Sequence, residues 1–254
     1  MVVRRPVVLF IENDVTCPPA LVGEWLEEDG LEVRVLAAAA GDDVPSAVPD
    51  GVDAVCALGG DIGAGDEDIA PWLVAEKSLL RDAVERGVPV LGLCLGGQLL
   101  AAANGGRVEV SDVTEIGVSE ISRTIDGLAD PVISATVPQR GDTIPVVQWH
   151  LDHIRELPDG AVLLMTNEAC RVQAFRLGET AYGLQMHPEV DVELYESWVE
   201  GADEVVPRTA TTASQSLVDV RERADELVKA WRLAIRAWGG LVWTRARTLS
   251  ALEP

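Results

Sequence analysis

Val88-Pro89-Val90-Leu91-Gly92-Leu93-Cys94-Leu95-Gly96-Gly97-Gln98-Leu99-Leu100-Ala101 is the stretch that decides the fold. Val88 to Leu93 is a short apolar, β-branched run of the kind that forms a buried strand, and a helix is expected to begin near Gly97, so strand runs directly into helix. At the junction, Gly92-Leu93-Cys94-Leu95-Gly96 has the G-x-nucleophile-x-G form of a nucleophile elbow, with cysteine in place of serine. A residue at so sharp a turn is held in a strained backbone conformation, and neighbours without side chains let strand and helix approach it. Cys94 is then expected to project from the carboxyl end of a sheet. The helix N-terminus points its free amides and positive dipole end at the sulfur, a setting that activates a cysteine, and the Leu95 amide is placed to stabilise an oxyanion formed on attack by Cys94. Taken alone, the pattern also fits an ordinary buried cysteine.

Outward from this junction, the first half alternates apolar runs (Val7 to Ile11, Leu31 to Leu36, Ala54 to Leu58, Val88 to Leu93) with helical segments near Ala20 to Glu28 and Trp72 to Arg86. That alternation predicts an α/β fold, a central mostly parallel sheet with helices on both faces. From about Val118 the strands Ile144 to Trp149, Ala161 to Thr166, Val172 to Arg176 and Ala181 to Met186 follow one another with turn signals between them, which reads as a smaller antiparallel extension. One domain is expected over residues 1–200. Residues 201–254 are expected to hold a polar connection (Gly201, Ala202, Asp203, Glu204, then Pro207 to Ala213) and a C-terminal helix packed on the same domain. Its apolar face would be Leu217, Val220, Ala224, Leu227, Val228, Trp231 and Ile235, with that face or Trp238 and Trp243 alternatively contacting another chain.

A nucleophilic cysteine needs a base, and the chain has three histidines, His150, His153 and His187. His187 follows a strand in Tyr182-Gly183-Leu184-Gln185-Met186-His187-Pro188-Glu189, and in an extended backbone His187 and Glu189 project to the same side. Glu189 can orient one imidazole nitrogen and leave the other for Cys94, the logic of a triad, although such a pair also occurs as a local contact. Cys17, Cys56 and Cys170 have no comparable setting and are assigned to packing or loops.

Composition narrows the partners. The 42 acidic and 20 basic residues give a net charge of −22, which repels nucleic acid and anionic membranes, so neither is expected. No apolar run reaches the roughly 18 residues that span a bilayer. Arg4 and Arg5 precede an apolar stretch that Glu12 and Asp14 end too early for a signal peptide, so a cytoplasmic protein is expected. His150-Leu151-Asp152-His153 lacks a further ligand at metal spacing, and Asp61, Asp66, Glu67 and Asp68 lack the regular alternation of a calcium loop. No metal or cofactor is expected.

Together these residues resemble the class I, or triad, glutamine amidotransferase family. Its G-x-C-x-G-x-Q elbow is matched by Gly92, Cys94, Gly96 and Gln98, and its H-P-E by His187, Pro188 and Glu189. Leu58-Gly59-Gly60 resembles the family's oxyanion loop, and Pro71-Trp72-Leu73, Gln148-Trp149-His150 with Asp152, and Val172-Gln173-Ala174-Phe175 extend the match from about Val7 to Trp198. Within the family the likeness is greatest to stand-alone proteins similar to the glutaminase domain of GMP synthase. The resemblance implies a flavodoxin-like fold and a glutaminase in which Cys94 attacks the side-chain amide of glutamine. His187 would transfer protons, Glu189 would hold it, and the amides of Gly60 and Leu95 would bind the oxyanion. It places Gln98, His150, Leu151 and Asp152 at the substrate, although many relatives carry a smaller residue at the position of Leu151. No G-x-x-x-x-G-K-[ST] loop is present, so ammonia would pass to a separate synthetase or other amidating partner. Two alternatives stay open: a self-sufficient hydrolase of γ-glutamyl peptides or amides using the same triad, and a catalytically idle binding relative, against which the intact triad argues.

Overall fold

The computed structural model describes residues 4–202, 209 and 211–252. In chain order the strands and α-helices are β1 (Val7–Glu12), α1 (Ala20–Glu28), β2 (Glu32–Ala37), β3 (Ala54–Ala57), α2 (Trp72–Glu85), β4 (Val90–Leu93), α3 (Leu95–Ala103), β5 (Arg107–Arg123), α4 (Ile125–Ala129), β6 (Ile144–Glu156), β7 (Val162–Thr166), β8 (Ala174–Leu177), β9 (Ala181–Leu184), α5 (Val192–Gly201) and α6 (Ala213–Leu252). They form one sheet in the order β2-β1-β3-β4-β9-β8-β7-β5-β6. The first five strands in that order pair in parallel, and from β9 onward every pair is antiparallel.

Strand periodicity divides the core between two faces. Val8, Phe10, Cys56 and Leu91 pack on one face against Val22, Trp25 and Leu26 of α1 and Trp231 and Trp238 of α6. Leu9, Ile11, Val55 and Val90 pack on the other against Leu73, Leu79 and Leu80 of α2 and Leu99 and Leu100 of α3. With both faces covered, the central strands read as unbroken apolar runs rather than alternating ones.

The C-terminal helix is a single 40-residue element. Of the expected face, Val220, Leu227, Trp231 and Ile235 are buried, and the burial continues through Trp238 and Val242. Three indole N–H groups tie it to the same chain: Trp231 to the Pro145 carbonyl at 3.0 Å, Trp238 to Val90 at 3.2 Å and Trp243 to Asp29 at 3.1 Å. Of the polar connection expected before it, residues 203–208 and 210 lie outside the described residues. No helix among the described residues is long and apolar enough to cross a membrane.

Three expectations need correction. β5 is not among the expected strands, because its alternation at Val108 and Val110 and again at Ile116 and Val118 is interrupted by a register shift between Val110 and Glu115 and by Gly117 at φ +88°. Its long pairing with β6 carries that strand past Trp149 to Glu156, so His150 to His153 lie within a strand. Finally, α3 begins at Leu95 rather than near Gly97, because Gly96 and Gly97 are needed for close approach and not for a turn.

Candidate active site

Cys94 lies between β4 and α3 in the middle of the sheet, with φ +49° and ψ −108°, a conformation that side chains other than glycine rarely adopt. The surrounding glycines make the turn sterically feasible. A Cβ on Gly92 would stand 2.5 Å from the Gly96 carbonyl oxygen, and one on Gly96 would stand 2.0 Å from the Ala57 carbonyl oxygen. The Cys94 amide donates to Leu184 of the neighbouring β9 at 2.8 Å, which fixes the elbow to the strand leading to His187.

Beyond β9 the chain stays extended, held by hydrogen bonds from the Gln185 amide to the Gln173 carbonyl at 2.9 Å and from the His187 amide to Val147 at 3.0 Å. His187 Nδ1 lies 2.7 Å from Glu189 Oε1, with both side chains almost fully buried. His187 Nε2 is buried without a closed hydrogen bond. Burial by itself lowers the imidazole pKa, but the Glu189 carboxylate and the Cys94 side chain more than offset this and push it up to about 10. The protonated ring is therefore the favoured form at neutral pH. Trp198 packs edge-on against the ring at a centroid distance of 4.8 Å, and its indole N–H donates to the Thr16 carbonyl at 2.6 Å.

The Leu58-Gly59-Gly60 segment follows β3 and reaches both groups. A Cβ on Gly59 would lie 3.2 Å from His187 Cε1, and one on Gly60 would lie 3.2 Å from Leu95 Cδ2. Neither the Gly60 amide nor the Leu95 amide donates to a carbonyl among the described residues. These two N–H groups therefore belong to residues in contact with each other, one of them the residue that follows Cys94.

Gln98 is buried on α3, where its Nε2 donates to the Asp152 carbonyl at 3.1 Å and reaches Gln185 Oε1 at 3.4 Å. His150 is turned inward: Nδ1 lies 3.0 Å from the Asp152 carbonyl oxygen and Nε2 lies 3.2 Å from Glu115 Oε2. Burial tends to raise the Glu115 pKa, but His150, Asn167 and Gln173 outweigh it and hold the carboxyl below its ordinary value. Leu151 is exposed at the rim, and the Asp152 carboxyl is raised by burial and then by the nearby Asp66. The structure thus gathers Gln98, His150 and Asp152 into one polar patch and leaves Leu151 at its edge.

Sequence reasoning missed several neighbours of the sulfur. Gln185 Nε2 lies 3.8 Å from Cys94 Sγ, and the Trp149 carbonyl oxygen lies 4.0 Å from it. Gln185 was findable, since the period of two that relates His187 to Glu189 extends back to it. Cys17, assigned to packing or a loop, does lie in a loop, but its Sγ lies 3.4 Å from where a Cβ on Gly59 would stand. Burial, then Glu189 and Cys94, push its thiol far above the ordinary range. Nothing local in the sequence places Cys17, Trp198 or Glu115 here.

Comparison with known proteins gives the family and the fold. The family model described as "Glutamine amidotransferase class-I" matches residues 51–199. One of the GMP synthase (glutamine-hydrolyzing) subunits of Natronomonas pharaonis is 39% identical over 104 residues, which cover 41% of this chain and 53% of that protein. GMP synthase (glutamine-hydrolyzing) of Paraburkholderia phytofirmans is 36% identical over 108 residues, covering 42% of this chain and 20% of its own. The matched region is thus about half of the first relative and a fifth of the second. The crystal structure of a glutamine amidotransferase from Methylobacillus flagellatus superposes with a TM-score of 0.75 at 27% identity, over 96% of this chain and 94% of that one. One from Thermotoga maritima, at 24% identity, shares the fold with a TM-score of 0.79 over 93% and 99%. The chain belongs to the class I glutamine amidotransferase family.

Proposed function

We propose that this chain hydrolyses the side-chain amide of glutamine through a γ-glutamyl thioester on Cys94. The observation that carries the reading is the strained Cys94 turn interacting with the buried His187 and Glu189 pair, with the Gly60 and Leu95 amides left without a carbonyl partner among the described residues. The Cys94 sulfur attacks the amide carbon, and the two amides stabilise the oxyanion that forms. The C–N bond breaks as His187 gives its proton to the departing ammonia. Water then attacks the thioester while His187 takes its proton. The C–S bond breaks, and glutamate leaves with Cys94 and His187 restored. Glu189 steadies the imidazolium throughout.

Gln98 and the backbone at Leu151 and Asp152 are proposed to line the glutamine site, with His150 supporting Asp152 from behind through the carbonyl contact at 3.0 Å. Residues 1–200 form the amidotransferase domain in this reading, and 201–254 are an extension whose helix α6 packs on it. The names of the related GMP synthases support an amidating partner that receives the ammonia.

The test is to incubate the purified chain with glutamine and with several γ-glutamyl dipeptides and to measure glutamate. Glutamate is expected from glutamine, with the dipeptides cleaved far more slowly. Faster cleavage of a dipeptide would overturn the reading in favour of a γ-glutamyl peptide hydrolase.

A further inference from the structure

The loop carrying Gly59 and Gly60 must hold a free amide steady beside Cys94, yet it has no side chains of its own to do so. The support comes from the residues after β1. Asn13, 3% exposed, donates from Nδ2 to the Leu58 carbonyl at 3.3 Å, and its Cβ lies 3.3 Å from where a Cβ on Gly60 would stand. Asp14 accepts from the Asp61 amide at 3.3 Å, so residues 13 and 14 grip the loop on both sides.

Asn13 is itself fixed by two residues one turn apart on α2. Its Oδ1 accepts from Trp72 Nε1 at 2.9 Å, and its Nδ2 also donates to Glu76 Oε1 at 3.2 Å. A polar trio inside an apolar layer of Leu73, Leu79 and Leu80 is costly, and it gives the fold no contact that an apolar set could not supply. It does give direction, because a hydrogen-bonded amide has one orientation where a methyl group has many. We propose that Asn13, held by Trp72 and Glu76, is a positioning group for the oxyanion loop at Gly59 and Gly60. The inference rests on the glutaminase reading and names a part of the same site.

Glu76 adds a pH dependence. It is fully buried, with Oε2 unpartnered. Burial pushes its carboxyl up to about 8, against the opposing effects of the Asn13 hydrogen bond and the Lys77 ammonium. Lys77 itself is paired with Glu67. The elements packed on α2, namely α3, β3 and β4, carry no charged side chain and one titratable group, the Cys56 thiol, which burial raises well above its ordinary value. At neutral pH the buried acid is uncharged. Above about 8 it becomes an anion behind the amides that must stabilise another anion, in surroundings that screen it poorly.

The experiment measures kcat and KM for glutamine across pH in the wild-type chain and three variants. Asn13→Ala is expected to lower kcat by about tenfold or more with little change in KM, because the loop is needed for the transition state rather than for binding. Trp72→Phe removes the indole N–H together with part of the ring, and is expected to lower kcat by roughly threefold. Glu76→Gln, a mimic of the neutral acid, should move the alkaline fall in kcat upward from about 8. Wild-type kcat in both Asn13→Ala and Trp72→Phe, or an alkaline fall near 8 that persists in Glu76→Gln, would overturn the proposal. If Asn13→Ala fails to fold, the other two variants decide. If the wild-type chain makes no glutamate, the glutaminase reading falls, and the loop is read instead by amide hydrogen exchange over Leu58 to Asp61. Faster exchange in Trp72→Phe than in wild type would support the positioning role, and equal exchange would overturn it.

Discussion

Replacing Cys94 with alanine is expected to abolish glutamate release, lowering kcat by at least about 10⁴-fold, because the covalent route then has no nucleophile and only the oxyanion donors and substrate binding remain. The fold should survive. The hydrogen bonds of Cys94 Sγ to Gln185 and Trp149 are long, 3.8 Å and 4.0 Å, and its remaining interaction is with His187, which stays held by Glu189 at 2.7 Å. Alanine also keeps the Cβ that the turn already tolerates at φ +49°. The melting temperature is expected to stay within a few degrees of wild type, as about 1 kcal/mol would allow. Glutamate assays and thermal denaturation on the same preparations check both halves. Wild-type turnover by Cys94→Ala would place the chemistry elsewhere.

The largest expected effect on stability is at Gly96. A Cβ there would stand 2.0 Å from the Ala57 carbonyl oxygen and 2.5 Å from its carbon, and backbone in the middle of a sheet cannot swing aside as a side chain can. Gly96→Ala must therefore push α3 away from β3, carrying the Leu95 amide with it. We expect a loss of about 3 kcal/mol or more, at the upper end for overpacking a core, together with loss of activity. Gly65→Ala serves as the control. Nothing lies within 4 Å of its Cβ position, and the change should cost less than about 0.5 kcal/mol. Denaturant titration compares the two, and equal midpoints would contradict the packing account of the elbow.

The fold was legible where one physical rule dominates. The apolar runs ending at Ile11, Leu58 and Leu93 are central strands buried on both faces, and Gly92, Cys94 and Gly96 encode a junction that only one geometry satisfies. His187 and Glu189 were legible for a similar reason, since neighbours two apart in an extended chain meet without help from the rest of the fold. β5 was not, because pairing with β6 over an irregular register, rather than its own pattern, makes it a strand. Long-range placement was equally invisible. Cys17 reaches Gly59, Trp198 reaches His187, and Asn13 reaches Trp72 and Glu76 across separations that no local pattern records.

The proposed glutamine site at Cys94 is tested most directly by covalent trapping with a glutamine analogue that bears a chloroketone or diazoketone at the amide position. Cys17 is the informative competitor, since it lies beside the same glycine loop. Burial and the negative groups around it raise its thiol far above the ordinary range, which leaves little of the reactive thiolate. Burial likewise raises Cys56 well above its ordinary value, and Cys170 to about 12. Mass spectrometry of the labelled chain is expected to find the adduct on Cys94 alone, with excess glutamine slowing its formation. Label on Cys17, label spread over all four cysteines, or label on Cys94 that forms at the same rate with and without glutamine would contradict the account.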